Sequence, residues 1–174
     1  MSLIYIRHAQ KAYRNGCSQQ YAQDPNITQA GFDACTLKAQ ELVKIYGMPT
    51  AIYCSPYLRC RQTAIALNMA LQEPVPMYVD ITLSEYLGNQ TKQDIRPCTA
   101  EYKPPFPEAW REFILRTRNH NPPEGSCVWI VTHGLVLSMI GKEHYNMQGK
   151  KKNWPLLGGY ITNGKALLGF LDSG

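Results

Sequence analysis

The sequence predicts a single-domain α/β protein spanning residues 1–174, with three layers (α/β/α), a mostly parallel central sheet and a C-terminal antiparallel hairpin. Three observations predict it. Short, nearly all-apolar runs at Leu3–Ile6, Ala51–Cys54 and Cys127–Thr132 read as strands buried on both faces, as parallel strands are. Segments of helical period alternate with them. The chain closes on Tyr160-Ile161-Thr162, Asn163-Gly164 and Lys165–Leu171, two strand-like runs around a dipeptide that favours the type I′ turn.

Each element has a local cause. After the first strand, the polar stretch Gln10–Asn26 reads as a loop. Thr28 then offers an N-cap, Phe32, Cys35, Ala39, Leu42, Val43 and Tyr46 recur at helical spacing, and Gly47 closes the helix. Beyond the second strand, Ser55-Pro56 predicts a helix start, with serine as N-cap and proline in the first turn, running to about Leu71. Met77-Tyr78-Val79 is a third strand candidate. Leu83–Pro107 carries few regular signals, and long irregular segments in compact domains are often functional. Trp110, Phe113 and Ile114 predict a helix from about Pro107 to Asn119. Asn121–Gly125 is a turn, and a short helix is expected over Leu135–Lys142.

Composition narrows the function classes. With 44% hydrophobic and 18% charged residues in 174, the chain has the make-up of one ordinary globular core and not of a disordered segment. No apolar run is long enough to span a bilayer, and a strand-like segment begins at once after Met1, so a cytoplasmic protein without membrane partners is expected. Cys17, Cys35, Cys54, Cys60, Cys98 and Cys127 are scattered with no C-x-x-C pair, which predicts reduced, mostly buried thiols and no metal site. The net charge of +5 suits an anionic substrate as well as an ordinary basic surface. Lys150-Lys151-Lys152 lacks the aromatic interleaving of a nucleic-acid surface, so no nucleic acid is expected as partner. The C-terminal hairpin leaves either a free edge or a homodimer contact.

Chemistry concentrates at three strand ends. The first strand ends in Arg7-His8. The second ends in Cys54-Ser55 and leads to Arg59 and Arg61. The fourth ends in Thr132-His133-Gly134. In a parallel sheet these ends lie along one edge, outside which such folds bind ligands. Arginine presents a planar fork of donors that matches phosphate oxygens in pairs, and histidine is a nucleophile or a charged donor near neutral pH. Helix N-termini after Ser55 and Gly134 add backbone donors. The ligand that best fits this set is a phosphoryl group.

These residues also resemble a known family. Arg7-His8-Ala9 is similar to the R-H-G signature of the histidine phosphatase superfamily, also called phosphoglycerate-mutase-like. Ile27-Thr28-Gln29-Ala30-Gly31 is similar to its L-T-x-x-G helix start. Ser55-Pro56-Tyr57-Leu58-Arg59-Cys60-Arg61-Gln62-Thr63-Ala64 resembles its S-P-L-x-R-A-x-Q-T-A segment, and Val131-Thr132-His133-Gly134 its V-[ST]-H-G. The four occur in the family's order along nearly the whole chain. The resemblance implies that His8 is the nucleophile of a small phosphatase and that Arg7, Arg59 and protonated His133 bind the transferring phosphoryl. It also implies an acidic proton donor between the third strand and the next helix. Leu83-Ser84-Glu85-Tyr86-Leu87-Gly88 loosely follows the L-x-E-x-x-x-G pattern, which selects Glu85, with Asp80 and Glu101 in reserve. Gln10, Tyr13, Arg14 and Arg61, near the motifs in sequence, are candidate substrate contacts. No cofactor and no metal are implied, because arginines and histidine supply the positive charge. The expected partner is a phosphorylated small molecule or phosphoprotein.

Two departures from the family pattern matter. Ala9 stands where the family has glycine, and a methyl there threatens to crowd the phosphate or to oppose a positive φ. That residue is the main support for an alternative, a non-catalytic phosphate-binding module. The family's mutases carry asparagine six residues after the histidine, where this chain has Arg14, with Asn15 one later, which argues against mutase activity. Other enzyme classes fail on spacing. Four residues separate Cys54 from Arg59 and six separate it from Arg61, neither matching the five of a cysteine phosphatase loop. G-x-S-x-G and G-x-x-x-x-G-K-[ST] are both missing from the sequence.

Overall fold

The sheet follows from the apolar runs. In the computed structural model, which describes residues 1–12, 24–84, 111–115, 117, 123–147 and 153–171, six strands form one sheet. They are β1 (Ser2–Arg7), β2 (Pro49–Cys54), β3 (Met77–Val79), β4 (Cys127–Thr132), β5 (Gly159–Thr162) and β6 (Leu167–Leu171). Their order is β3-β2-β4-β1-β5-β6, with the first four parallel and β5 and β6 antiparallel. The fold is therefore the expected α/β one with a C-terminal antiparallel hairpin.

Strand alternation divides the core in two. Ile4, Ile6, Ile52, Trp129 and Val131 face α1 (Gln29–Tyr46) and α2 (Leu58–Met69), meeting Cys35, Ala39, Leu42, Ala64 and Leu67. Leu3, Tyr5, Val128 and Ile130 face the other way, toward Val136, Leu137 and Ile140 of α3 (Gly134–Tyr145) and toward Phe113 and Ile114 of the helical residues 111–115. Successive side chains of one strand serve opposite layers, which is why Leu3–Ile6 of β1 and Cys127–Val131 of β4 are apolar at every position.

Helix α1 begins and ends where its residues predict. Thr28 accepts from the Gly31 N–H at 3.0 Å, and Gly47 leaves the helix at φ 80°. Gly31 is also required by space. A methyl there would lie 2.9 Å from the Gln10 carbonyl oxygen and 3.4 Å from the Ala9 methyl. Helix α3 is longer than expected at both ends, starting at Gly134 and closing through Asn146 in the left-handed region.

Two local expectations are corrected. Helix α2 starts at Leu58 and not behind Ser55: the Ser55 hydroxyl accepts from His133 at 2.9 Å and from the Tyr57 N–H at 3.4 Å, ahead of the helix, and Asp24 accepts from the Leu58 N–H at 2.8 Å. The hairpin turn is not type I′, which needs positive φ at both central residues; Gly164 alone has it, at 81°. The Asn163 N–H donates to the Ala166 carbonyl at 3.2 Å, so Gly164-Lys165 forms the tip, and the Asn163 side chain accepts from the Lys165 and Ala166 N–H groups at 2.9 and 2.8 Å.

Cys35, Cys54, Cys60 and Cys127 are free and buried, as expected; Cys17 and Cys98 lie outside the described residues. No helix among the described residues is long and apolar enough to cross a membrane. The segment Leu83–Pro107 falls almost wholly outside the described residues; of the helix expected over Pro107–Asn119, residues 111–115 and 117 are described and are helical.

Candidate active site

Strand register brings the three chemically loaded ends together. Arg7 pairs with Thr132, and Cys54 with Val131. The next residues therefore lie side by side at one edge. The His8 N–H donates to the Thr132 carbonyl at 2.9 Å and the Ser55 N–H to the Val131 carbonyl at 3.0 Å. The rings of His8 and His133 end 5.7 Å apart, inclined at 67°.

The two histidines are held differently. His8 is 5% exposed, and its Nδ1 donates to the Ala9 carbonyl at 2.7 Å. That bond puts the ring proton on Nδ1 and leaves the Nε2 lone pair for chemistry. Burial above all, then the positive charge of Arg59, lowers its pKa to about 3; Arg7 and Lys11 push the same way, against the Ala9 carbonyl. His8 is neutral at physiological pH.

His133 has both nitrogens engaged. Arg59 Nη2 donates to its Nδ1 at 3.1 Å, so the ring proton sits on Nε2 and is donated to Ser55 Oγ at 2.9 Å. The Cys60 sulfur lies 3.5 Å from Nε2, and the Tyr57 ring stands edge-on with centroids 5.0 Å apart. Burial, then Arg59, then His8 hold its pKa well below the usual histidine value. Without a bound anion His133 is thus held neutral by burial first and the site's cations second; the expectation of a protonated His133 concerns the site with a phosphoryl group in it.

The arginines have distinct settings. Arg59 is 5% exposed, lies 4.8 Å over the Tyr57 ring and comes within 4.0 Å of the Asp24 carboxylate. The Arg7 guanidinium passes over the start of α3, where a methyl on Gly134 would lie 3.5 Å from its Nε, and its Nη1 donates to the Trp154 carbonyl. Arg7, Arg59 and Lys11 all act electrostatically on both histidines. Arg61 does not; its charge is felt by Cys54. The Gln10 main-chain carbonyl accepts from the Thr28 N–H at 2.9 Å, and its exposed side-chain Oε1 accepts from the Thr28 hydroxyl at 3.0 Å. The Asp80 carboxylate caps the short 3-10 turn Ile81–Leu83, accepting from the Thr82 N–H at 3.0 Å. Glu85, Glu101, Tyr13 and Arg14 lie outside the described residues.

Ala9 resolves one concern. Its methyl is fully buried in the core cluster with Ile27 and Cys35, beside Gly31. Its φ is not positive. The Ala9 N–H donates to Thr63 Oγ1 at 2.9 Å, and Thr63 Oγ1 donates to the Arg59 carbonyl at 2.6 Å. Thr63 thus ties the His8 loop to the helix bearing Arg59. Thr63, Asp24 and Trp154 were missed from sequence. For the last, Pro155 and Gly158-Gly159 marked a turn, but nothing local named its partner.

Two histidines and two arginines at the carboxyl edge of a parallel sheet make a basic site suited to an anion in an α/β protein. The comparisons name the family. A sequence profile of the histidine phosphatase superfamily (branch 1) matches residues 3–127, well over half of the chain, and the chain belongs to that superfamily. Solved structures of the same fold include the protein histidine phosphatase SixA complexed with tungstate, at 16% identity and TM-score 0.71, covering 99% of this chain and 97% of that one. The mycobacterial glucosyl-3-phosphoglycerate phosphatase with VO3 gives 18% identity and TM-score 0.69, covering 99% and 98%. A phosphoglycerate mutase from Bacillus anthracis gives 15% identity and TM-score 0.64, covering 100% and 92%. No curated protein sequence is similar enough to count as a match.

Proposed function

We propose that this protein is a phosphatase that hydrolyses phosphoric monoesters through a phosphohistidine on His8. One observation carries the reading: a buried, neutral His8 whose Nδ1 proton is fixed on the Ala9 carbonyl, facing a second histidine 5.7 Å away that is hydrogen-bonded to Arg59. Tungstate and VO3 in the two structural relatives are in keeping with a phosphoryl-shaped pocket.

In this reading His8 Nε2 attacks phosphorus in line and the P–O bond to the leaving group breaks. One difficult displacement becomes two easier ones. Arg7, Arg59 and His133 stabilise the equatorial oxygens, where transition-state charge is spread. The incoming phosphoryl dianion offsets the cations that keep His133 neutral and so favours its protonation during turnover. Glu85 protonates the leaving oxygen and then, as carboxylate, takes a proton from the water that attacks the phosphohistidine. Arg61 and Gln10 remain candidate contacts for the rest of the substrate, outside the set that holds the phosphoryl. The observation that favoured a non-catalytic module loses its force, because the Ala9 methyl lies in the core.

The test is turnover of p-nitrophenyl phosphate by wild type and His8→Ala with chelator present. Activity that survives the chelator and vanishes in the variant supports a histidine nucleophile independent of metal. Equal rates in both proteins sink it. Glu85→Gln should cost ~10²–10⁴-fold on an alkyl phosphate and much less on p-nitrophenyl phosphate, whose leaving group needs no proton. An equal loss on both substrates would remove Glu85 as the acid.

A further inference from the structure

Arg7 is gripped at three points by a single turn. The Leu157 N–H donates to the Arg7 carbonyl at 3.2 Å, and the Arg7 N–H donates to the Gly158 carbonyl at 2.8 Å. Arg7 Nη1 donates to the Trp154 carbonyl. The turn closes on itself through the Gly158 N–H and the Pro155 carbonyl at 3.0 Å. To make it, Leu157 takes φ 57°, a left-handed conformation that costs any non-glycine residue energy and persists only where its surroundings impose it. Such strain collects at functional sites, and here it lies one hydrogen bond from a phosphoryl-binding arginine.

The turn is anchored toward the second histidine as well. Trp154 is 1% exposed, and its indole N–H donates to Ser138 Oγ at 2.9 Å. Ser138 Oγ donates in turn to the Gly134 carbonyl at 3.1 Å, and Gly134 directly follows His133. Trp154 therefore bonds Arg7 with its carbonyl and the start of α3 with its ring. A guanidinium binds two oxygens of a tetrahedral anion only when its plane is fixed, and a donor committed to a carbonyl fixes it.

We infer that Trp154 and Leu157 are positioning residues: the 154–158 turn sets the guanidinium of Arg7 relative to His133, and Ser138 completes the link. The inference rests on the proposed role of Arg7 in holding the phosphoryl group. It deepens that reading by naming what orients the arginine.

Calorimetric titration with tungstate tests it in the full chain, in wild type, Trp154→Phe, Arg7→Ala and the double variant. Trp154→Phe keeps a ring and removes the indole donor. It should weaken tungstate about three- to ten-fold in the wild-type background, the range of one hydrogen bond, and not at all in the Arg7→Ala background. Ser138→Ala cuts the same link with less disturbance of the core, and its loss should also disappear without Arg7; it decides the question if Trp154→Phe does not fold. Equal losses in both backgrounds would make the turn mere packing and overturn the inference. So would tungstate affinity that Arg7→Ala lowers while Trp154→Phe and Ser138→Ala leave it unchanged, with the reading of the site intact. Failure of wild type to bind tungstate would overturn both.

Discussion

The ends of β1 and β4 each deliver a buried histidine to the same place, yet the chain holds the two in opposite ways. His8 is fixed by main chain through one nitrogen, and among the described residues nothing bonds its Nε2. His133 is fixed by side chains, Arg59 on one nitrogen and Ser55 on the other. A carbonyl can only accept, so it sets a tautomer and leaves the other lone pair reactive. An arginine and a serine hydroxyl occupy both nitrogens and make the ring part of a polar network. The difference is what the proposed roles rest on: nucleophile at the end of β1, electrostatic partner at the end of β4.

The largest expected effect breaks that asymmetry directly. His8→Asn should lower kcat on p-nitrophenyl phosphate on the order of 10³-fold or more, because the covalent route is lost. His133→Asn should cost roughly 10²–10³-fold, the size of one lost transition-state donor. Rapid quenching with radiolabelled substrate separates the two. Labelled protein should be trapped with His133→Asn and never with His8→Asn. Label on the His8 variant would exchange the two roles.

A second expectation concerns what the two histidines share, neutrality enforced by burial and by neighbouring cations. The pKa of His8 falls to about 3 from an ordinary value of 6.5, and that of His133 is also well lowered. The unfolded chain therefore binds more protons than the folded one between these values. Stability is fully present above about pH 6.5 and declines as pH falls toward the folded pKa, with a slope of up to about 1.4 kcal/mol per pH unit for each histidine. Urea unfolding from pH 7 to pH 4 should show that decline, and His8→Asn should make it shallower. An unchanged slope in the variant would mean that His8 does not remain neutral through folding.

The same contrast between main chain and side chain explains what the sequence disclosed. The ends of β1, β2 and β4 were legible because strands buried on both faces are apolar throughout, and a polar residue immediately after them stands out. Helix α1 was legible because Thr28 and Gly47 act within a few residues of themselves. The start of α2 was not. Ser55-Pro56 has the local form of a cap, but His133, 78 positions away, takes the serine hydroxyl, and Asp24, 34 positions upstream, supplies the cap that Leu58 uses. The turn that grips Arg7 was hidden for a related reason. It acts through carbonyls and N–H groups, which every residue carries, across 147 positions. Local chemistry shows in a sequence; main-chain contacts between distant segments leave only the punctuation of Pro155 and Gly158-Gly159.

The smallest expected effect falls on Ala9, where the two kinds of hold meet in one residue. Its carbonyl fixes His8 and its N–H reaches Thr63, while its methyl packs into the core beside Gly31. Ala9→Gly keeps both main-chain contacts and deletes only the methyl. The loss should be about 1 kcal/mol of stability, from one buried methyl and added backbone freedom, read as a lower urea midpoint. Turnover should be essentially unchanged. A large gain in turnover would mean instead that the methyl obstructs the phosphoryl pocket and that the side chain, not the main chain, governs this position.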